Sequence, residues 1–357
     1  MTLAELAPRV KQILIWISIF LIFLIVLRFA WFVGKAGFGA LFGQKEDTQT
    51  IRFGTLERPP LPTNKLSVSQ LEISLDTPES SLPQTPELLN VYEIQRGSAV
   101  LLSIERASGK ARSSQVKGNP KKITPTIYKI TDTENANRSF TYYLEEDSFL
   151  YLYDWKKDSS VLSDNFIYNN EAAIREAKSS LSRISQLPED LENGKTKLTF
   201  LKISPKNQKI VSSFFEANAV RIDFLRADLN NTPIVYQNPS STPISVTLSP
   251  NLQEKILEIR HHYNVVNKDN FSPYPIKKSS DAWEELKKGD SYLALPEKTN
   301  LKSFSIRKIY LAYLDSSKQL SFFQPVFVFE GKGVDINGNR VDVLSYVPAI
   351  ISKHIGN

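Results

Sequence analysis

The run "QILIWISIFLIFLIVLRFAWFV", residues 12–33, limits what this 357-residue chain can fold into more than any other feature. Residues 13–27 carry no charge. A helix over 13–33 is about 32 Å long at about 1.5 Å per residue, which matches a hydrocarbon layer of about 30 Å. Arg28 interrupts the run near one end. A charge at mid-membrane costs about 2.5–3.5 kcal/mol, but one a turn or two from the end can reach the headgroups along its own stem. Trp16 and Trp31 sit near opposite ends, where interfacial aromatics anchor a span. A cleaved export signal has a shorter apolar region followed by a small-x-small site; "GKAGFGALFG" supplies a poor one. The sequence predicts an uncleaved membrane anchor with Trp16, Arg28 and Trp31 at its edges, and a lipid bilayer as the first partner.

Orientation is nearly tied by charge. Arg9 and Lys11 precede the span; Arg28 and Lys35 close it. A long C-terminal domain is translocated largely regardless of its own charge. That favours a short cytoplasmic tail, 1–11, and extracytoplasmic domains.

Beyond residue 43 the chain holds 40 basic and 37 acidic residues, with no dense basic block. Nucleic-acid binding needs clustered Lys and Arg and has no support. The absence of cysteine excludes disulfides, thiolate metal sites and a Cys nucleophile. The exported domains must therefore stand on packing alone.

Residues 34–65 read as a stalk, rich in proline at "LERPPLPTNK" and extended. The remainder reads as two α+β units, 66–205 and 206–357, each an antiparallel sheet with one or two helices on a face. In the first unit, "SAVLLSIERASGKA" and "NNEAAIREAKSSLSRI" are helices by spacing. Asn169 or Asn170 caps the second helix. "RSFTYYLEEDSFLYLYDW" is a hairpin, with "TPTIYKITD" and "TKLTFLKIS" as strands. In the second unit, "NAVRIDFLRADLNNTPIVYQ" reads as a hairpin and "PISVTLSPNLQEKILEIRHHY" as a strand and a helix. "SSDAWEELKKGDSYLA" is a helix with Ser280 as N-cap. A three-stranded meander follows, with a turn at Asn337-Gly338.

Local motifs offer little chemistry. "DINGN" begins like a calcium loop, but Gly338 is at the fourth position and Tyr346 at the twelfth, so a hairpin turn accounts for it. "SQVK" (Ser114, Lys117) and "SDN" (163–165) match two of three penicillin-binding signatures; the third, Lys-Thr-Gly, is missing. His261 and His262 read as a solvated helix end, about 100° apart and unable to share an ion. Glu145, Glu146 and Asp147 read as a solvated turn. No metal, cofactor or catalytic residue is expected.

The aromatic load is informative. Tyr142, Tyr151, Tyr153, Phe323 and Phe327 lie in strands whose two faces are both apolar. Either helices and the other unit cover them, or they form an exposed sheet that binds an extended peptide or a protein.

At "AWEEL" (Ala282 to Leu286), "IYLAY" (Ile309 to Tyr313), "QPVFVFEG" (Gln324 to Gly331) and "YVPAI" (Tyr346 to Ile350), the chain resembles the YycI/YycH and PepSY-like extracytoplasmic domains of bacteria. The resemblance covers about 70 residues. It implies a single-pass accessory protein of the bacterial cell membrane that regulates a membrane sensor or binds peptide-like ligands or peptidases, with no catalytic residues to transfer. The expected function is a non-enzymatic interaction or regulatory module with a membrane or envelope protein as partner. A structural envelope-binding protein and an envelope hydrolase acting through Ser114 are the alternatives.

Overall fold

Strand and helix boundaries follow caps and alternation that can be traced residue by residue in a computed structural model. It describes residues 51–69, 71–95, 103–162, 169–251, 253–294 and 300–356, together with Leu24 and Arg28. In chain order the first elements are β1 (Glu72–Leu75), β2 (Leu88–Gln95), α1 (Ser103–Ser113), β3 (Lys121–Thr124), β4 (Ile127–Thr131), β5 (Arg138–Tyr143) and β6 (Ser148–Tyr153). Next come α2 (Asn170–Arg183), α3 (Glu189–Glu192), β7 (Thr196–Ser204), β8 (Asn207–Ile210), β9 (Ala219–Phe224), β10 (Ile234–Tyr236), β11 (Ile244–Leu248), β12 (Ile256–His261) and β13 (Val265–Pro275). The chain ends with α4 (Ser279–Lys288), β14 (Tyr292–Leu293), β15 (Leu301–Asp315), β16 (Phe322–Phe323), β17 (Pro325–Asp335) and β18 (Arg340–Pro348). The fold class is α+β, with far more strand than helix.

Nine strands form one antiparallel sheet in the order β3-β4-β5-β6-β12-β11-β9-β7-β8. Its two halves have the same order of elements. In one, α1 is followed by β3, β4, β5 and β6, running from the edge to the centre. In the other, α2 is followed by β7, β9, β11 and β12, again from outside to centre, with β8 added at the rim. The halves meet where β6 and β12 pair antiparallel.

Both helices lie on the same face. Asn169 caps α2 by accepting a 2.8 Å hydrogen bond from the Ala172 amide. Ala173, Ala177, Leu181 and Ile184 then form its buried stripe. α1 buries Ser103, Ala107 and Ala111, small residues that let it approach the sheet closely.

The second sheet has the order β1-β15-β17-β18-β14, with β10 also pairing β15. The Asn337-Gly338 turn joins β17 to β18; Gly338 has φ +86°, a region L side chains disfavour. Leu61 packs on the Val326 and Val328 face of this sheet. The Trp283 ring of α4 meets Phe329 on the other face at 6.3 Å. A third sheet, β13-β2-β16, completes the fold.

Several expectations need correction. The proposed stalk is packed from about residue 52 onward. The Leu56 amide bonds the His354 carbonyl, Gln324 donates to the Glu57 carbonyl and Gln237 to that of Leu61. Pro59 and Pro62 are buried. Proline suits such a segment because it lies over a sheet without needing amide donors. The 205/206 boundary falls in the β7–β8 turn, inside the nine-stranded sheet. "ILEIRH" is strand β12, with Leu257, Ile259 and His261 inward at a period of two. β9 and β10 do not form a hairpin: β9 stays in the first sheet while β10 pairs parallel with β15. The N-cap of α4 is Lys278.

Trp16 and Trp31, like most of the expected span 12–33, lie outside the described residues. Arg28 is exposed. Among the described residues no helix is long and apolar enough to cross a membrane.

Candidate functional site

The register of the nine-stranded sheet decides which side chains meet beneath the helices. Tyr142 stands opposite Phe149, Phe149 opposite His261, and His261 opposite Ile244. The adjacent row is Phe140, Tyr151, Ile259 and Val246. These two rows floor a groove along the β6–β12 pair, with α1 on one side and α2 on the other. The opposite face of the sheet is polar at its centre: Arg260 pairs with Glu258 at 2.6 Å and Arg221 with Asp223 at 2.9 Å.

Two bays lie along the groove. The first, of about 190 Å³, sits between Ser114 after α1 and Glu176, Ser180 and Arg183 of α2, over Tyr151 and Ile259. Two of its three serines are already engaged. The Ser114 hydroxyl donates to the Lys110 carbonyl at 3.0 Å and that of Ser180 to the Glu176 carbonyl at 2.8 Å. Lys117, three residues after Ser114, donates instead to Glu134 at 2.8 Å on the surface. Among the described residues, then, no base is hydrogen-bonded to Ser114, the contact that activates a nucleophile. The 163–165 triplet lies outside the described residues. Glu254, at the rim, takes a 3.1 Å hydrogen bond from Arg138. Burial raises the Tyr151 hydroxyl well above its ordinary value.

The second bay, of about 490 Å³, lies at the other end of the strand pair, bounded by Asp147, Ser182, Ser185, Gln186, His261 and Tyr263. Asp147 has φ +44° in the β5–β6 turn. It accepts from Lys110 at 3.1 Å and from the Tyr142 hydroxyl. Burial alone would raise its carboxyl pKa; the Tyr142 hydroxyl and the Lys110 charge outweigh that and hold it low. The Lys110 ammonium lies over the Tyr142 and Phe149 rings, at 5.4 and 5.9 Å. His261 is buried, with its ring nitrogens closed to solvent and the Gln186 backbone beside the ring. Burial, reinforced by Lys110, pushes its pKa down to about 3, so it is neutral at pH 7.

His261 is the last residue of β12 and His262 follows it, extended, so the two rings face opposite ways. His261 enters the bay, while His262 faces the back of the sheet with Nδ1 3.5 Å from Glu146. Among the described residues no group of three His, Cys, Asp or Glu could hold a metal ion.

The five aromatics offered as a possible interaction surface are all buried, as the alternative of covered faces required. Tyr142 and Tyr151 floor the groove at 3% and 4% exposure. Tyr153 donates to Asp158 at 2.6 Å within a small core around Leu201 and Leu257. Phe323 stacks on Tyr313, and Phe327 is buried in the second sheet. The helices cover Tyr142 and Tyr151, whereas Phe323 and Phe327 are covered within the second and third sheets. What sequence reasoning missed is His261 and its neighbours. The only local signal was the strand alternation of "ILEIRH".

No protein-family model and no curated protein matches the chain. Among solved structures, it is similar to an uncharacterized protein from Eubacterium rectale ATCC 33656, determined at 1.45 Å resolution. The two are 12% identical over 78% of this chain and 88% of that one, with a TM-score of 0.43.

Proposed function

We propose that this chain is a membrane-anchored, extracytoplasmic, non-enzymatic binding module of the bacterial cell envelope. Its ligand is a peptide segment of a membrane or envelope protein, held in the groove between α1 and α2. The observation that carries this reading is the groove itself. Two helices flank a shared strand pair and leave two bays with an aromatic floor and polar walls, the composition of a ligand site. The apolar run 12–33 supports the anchor and the bilayer as a partner. The engaged hydroxyl of Ser114 and the distant engagement of Lys117 favour binding over turnover. The repeated helix-and-four-strand order supports a duplication of the kind the YycI/YycH and PepSY-like resemblance implies, and with it a regulatory role beside a membrane sensor.

The test uses the full-length chain in intact cells, with a photoreactive residue placed at Ser114 or Gln186 in the groove, or at Thr141 on the back of the sheet. The expected result is an adduct to the same envelope protein from both groove positions and none from Thr141, with the chain in the membrane fraction and its domains cleaved by external protease. Equal adducts from all three positions, or a chain free of membranes, would overturn the proposal.

A further inference from the structure

We propose that the β7–β8 rim of the nine-stranded sheet docks on an anionic lipid surface. Phe215 enters the headgroup layer, and Lys202, Lys206 and Lys209 meet the lipid phosphates. The inference is separate from the groove and rests on the anchor reading only for bringing a bilayer within reach.

The first observation is an aromatic ring held in water. Phe215 is 88% exposed, the most exposed large apolar side chain among the described residues, and Ile210, at the end of β8, is 72% exposed. The backbone under Phe215 is fixed. It lies in the 3-10 turn Phe214–Glu216, where the Ser213 hydroxyl accepts from the Phe215 amide at 3.2 Å. Asn218, just beyond, is buried; its side chain accepts from the Ile203 amide at 2.7 Å and donates to the Ile203 carbonyl at 2.8 Å. The rings form a row: Phe214 is 4.4 Å from Phe215 and 6.5 Å from Phe200, which packs against the core beneath the helices. The outer end of that row has no protein to cover it.

The second is charge. Residues 199–217 carry Lys202, Lys206 and Lys209 and a single acid, Glu216. Lys202 and Lys209 are direct partners across β7 and β8. Like charges directly opposed destabilise a strand pair. All three lysines are exposed, and among the described residues none has an ion-pair partner. Lys202 follows Phe200 by two residues on β7 and shares its face, so the lysine pair and the aromatic row lie on one side of the rim. An anionic surface relieves the repulsion and takes up the ring together.

The third is the contrast with the opposite rim. Lysines on an edge strand guard it against other strands, and β3–β4 has them too: Lys121 faces Lys129, with Ile123 54% exposed. Guarding does not call for an exposed phenyl ring. A ring among lysines is the composition of an interfacial lipid contact, in which apolar side chains enter the headgroup boundary and basic ones attract anionic lipid. Residues 34–51 join the apolar run to Arg52, a tether of at most about 65 Å, so the bilayer of the anchor is the surface in reach.

The test is electron paramagnetic resonance on the full-length chain in vesicles, with a nitroxide on Phe215→Cys or on Ile123→Cys; the parent has no cysteine to interfere. The vesicles are phosphatidylcholine alone or mixed with phosphatidylglycerol. Contact with oxygen reports lipid, and contact with a water-soluble nickel chelate reports water. At 215 the label should move from water to lipid in the mixed vesicles only and return to water in high salt. Lys202→Glu/Lys209→Glu should lower the docked fraction about tenfold or more, with near-UV circular dichroism reporting that its packing is kept. The label at 123 should stay in water. A label at 215 that stays in water on mixed vesicles, one at 123 that enters lipid equally, or an unchanged docked fraction in the folded double variant would overturn the proposal. Flotation reports the anchor separately. A chain that floats with phosphatidylcholine vesicles yet keeps position 215 in water on mixed ones retains the anchor and loses the rim. A chain that floats only with mixed vesicles and leaves them in high salt retains the rim and loses the anchor.

Discussion

His261 lies flat against Phe149, with ring centroids 5.0 Å apart and planes 9° from parallel. The two residues come from different halves of the sheet and meet at its centre. A neutral imidazole suits this aromatic stack; an imidazolium without a partner does not. The unfolded chain protonates this histidine near pH 6.5, whereas the folded chain resists until about pH 3. Between those values the unfolded state binds the extra proton. Stability is therefore unaffected above pH 6.5 and declines as pH falls from there toward 3. His261→Phe keeps the stack and removes the titration. Urea midpoints should show the parent losing about 1 kcal/mol or more relative to the variant between pH 6.5 and 4. Parallel pH profiles would contradict this.

Arg226 ties the first sheet to the second. Its Nε donates to Asp190 at 2.7 Å and its Nη1 to Asp315 of β15 at 3.1 Å, while the guanidinium lies over Tyr263 and Phe323 at 4.5 and 5.3 Å. Burial alone would lower its pKa. The Asp315 charge, with Tyr263 and Asp190, outweighs that, and Arg226 stays charged. Removing one partner of a buried pair leaves the other uncompensated, at a cost of about 3–5 kcal/mol. Arg226→Met should lower the urea midpoint accordingly. A loss below about 1 kcal/mol would show that the two carboxylates find other partners.

Two glycines predict opposite signs for one substitution. A Cβ at Gly331 in β17 would stand 1.9 Å from the Ser305 carbonyl oxygen of β15, where neither strand can yield cheaply. Gly331→Ala should destabilise by about 1–3 kcal/mol. Gly109, inside α1, has nothing within 4 Å of the same position. Gly109→Ala should stabilise by about 0.5–1 kcal/mol. Thermal melts of both variants check the pair of signs.

The parts of the fold legible in the sequence are those whose signals are local. The Asn169 cap with the Ala173, Ala177, Leu181 stripe marks α2, and Asn337-Gly338 marks the last hairpin. Non-local pairing leaves no such mark. Nothing in "RSFTYYLEEDSFLYLYDW" says that β6 will lie beside β12, more than a hundred residues later. Likewise nothing in "IVY" announces that β10 will leave β9 and join β15. Ile256, Leu257 and Ile259 fit a helix stripe as well as a strand face, and only the sheet settles the choice. Because that same pairing builds the groove, His261 and Asp147 looked like solvated ends and turns. The five aromatics were correctly placed in strands, but which faces are covered depends on packing that spacing cannot show.

The pairing of β6 with β12 is the relation on which the groove, its floor and its proposed ligand all depend. The parent chain has no cysteine, so engineered pairs can be read without background. Leu150 and Arg260 are direct partners across these strands, on the face away from the helices. Directly opposed residues of antiparallel strands lie about 4.5–5.5 Å apart at Cα, within the range of about 4.4–6.8 Å that a disulfide spans. The double variant Leu150→Cys/Arg260→Cys should oxidise to an intramolecular disulfide. Leu150→Cys/Thr247→Cys, placed on strands that are not neighbours, should keep its thiols. A folded double variant at 150 and 260 whose thiols stay free under the same oxidant, or a disulfide in the 150 and 247 pair instead, would contradict the account.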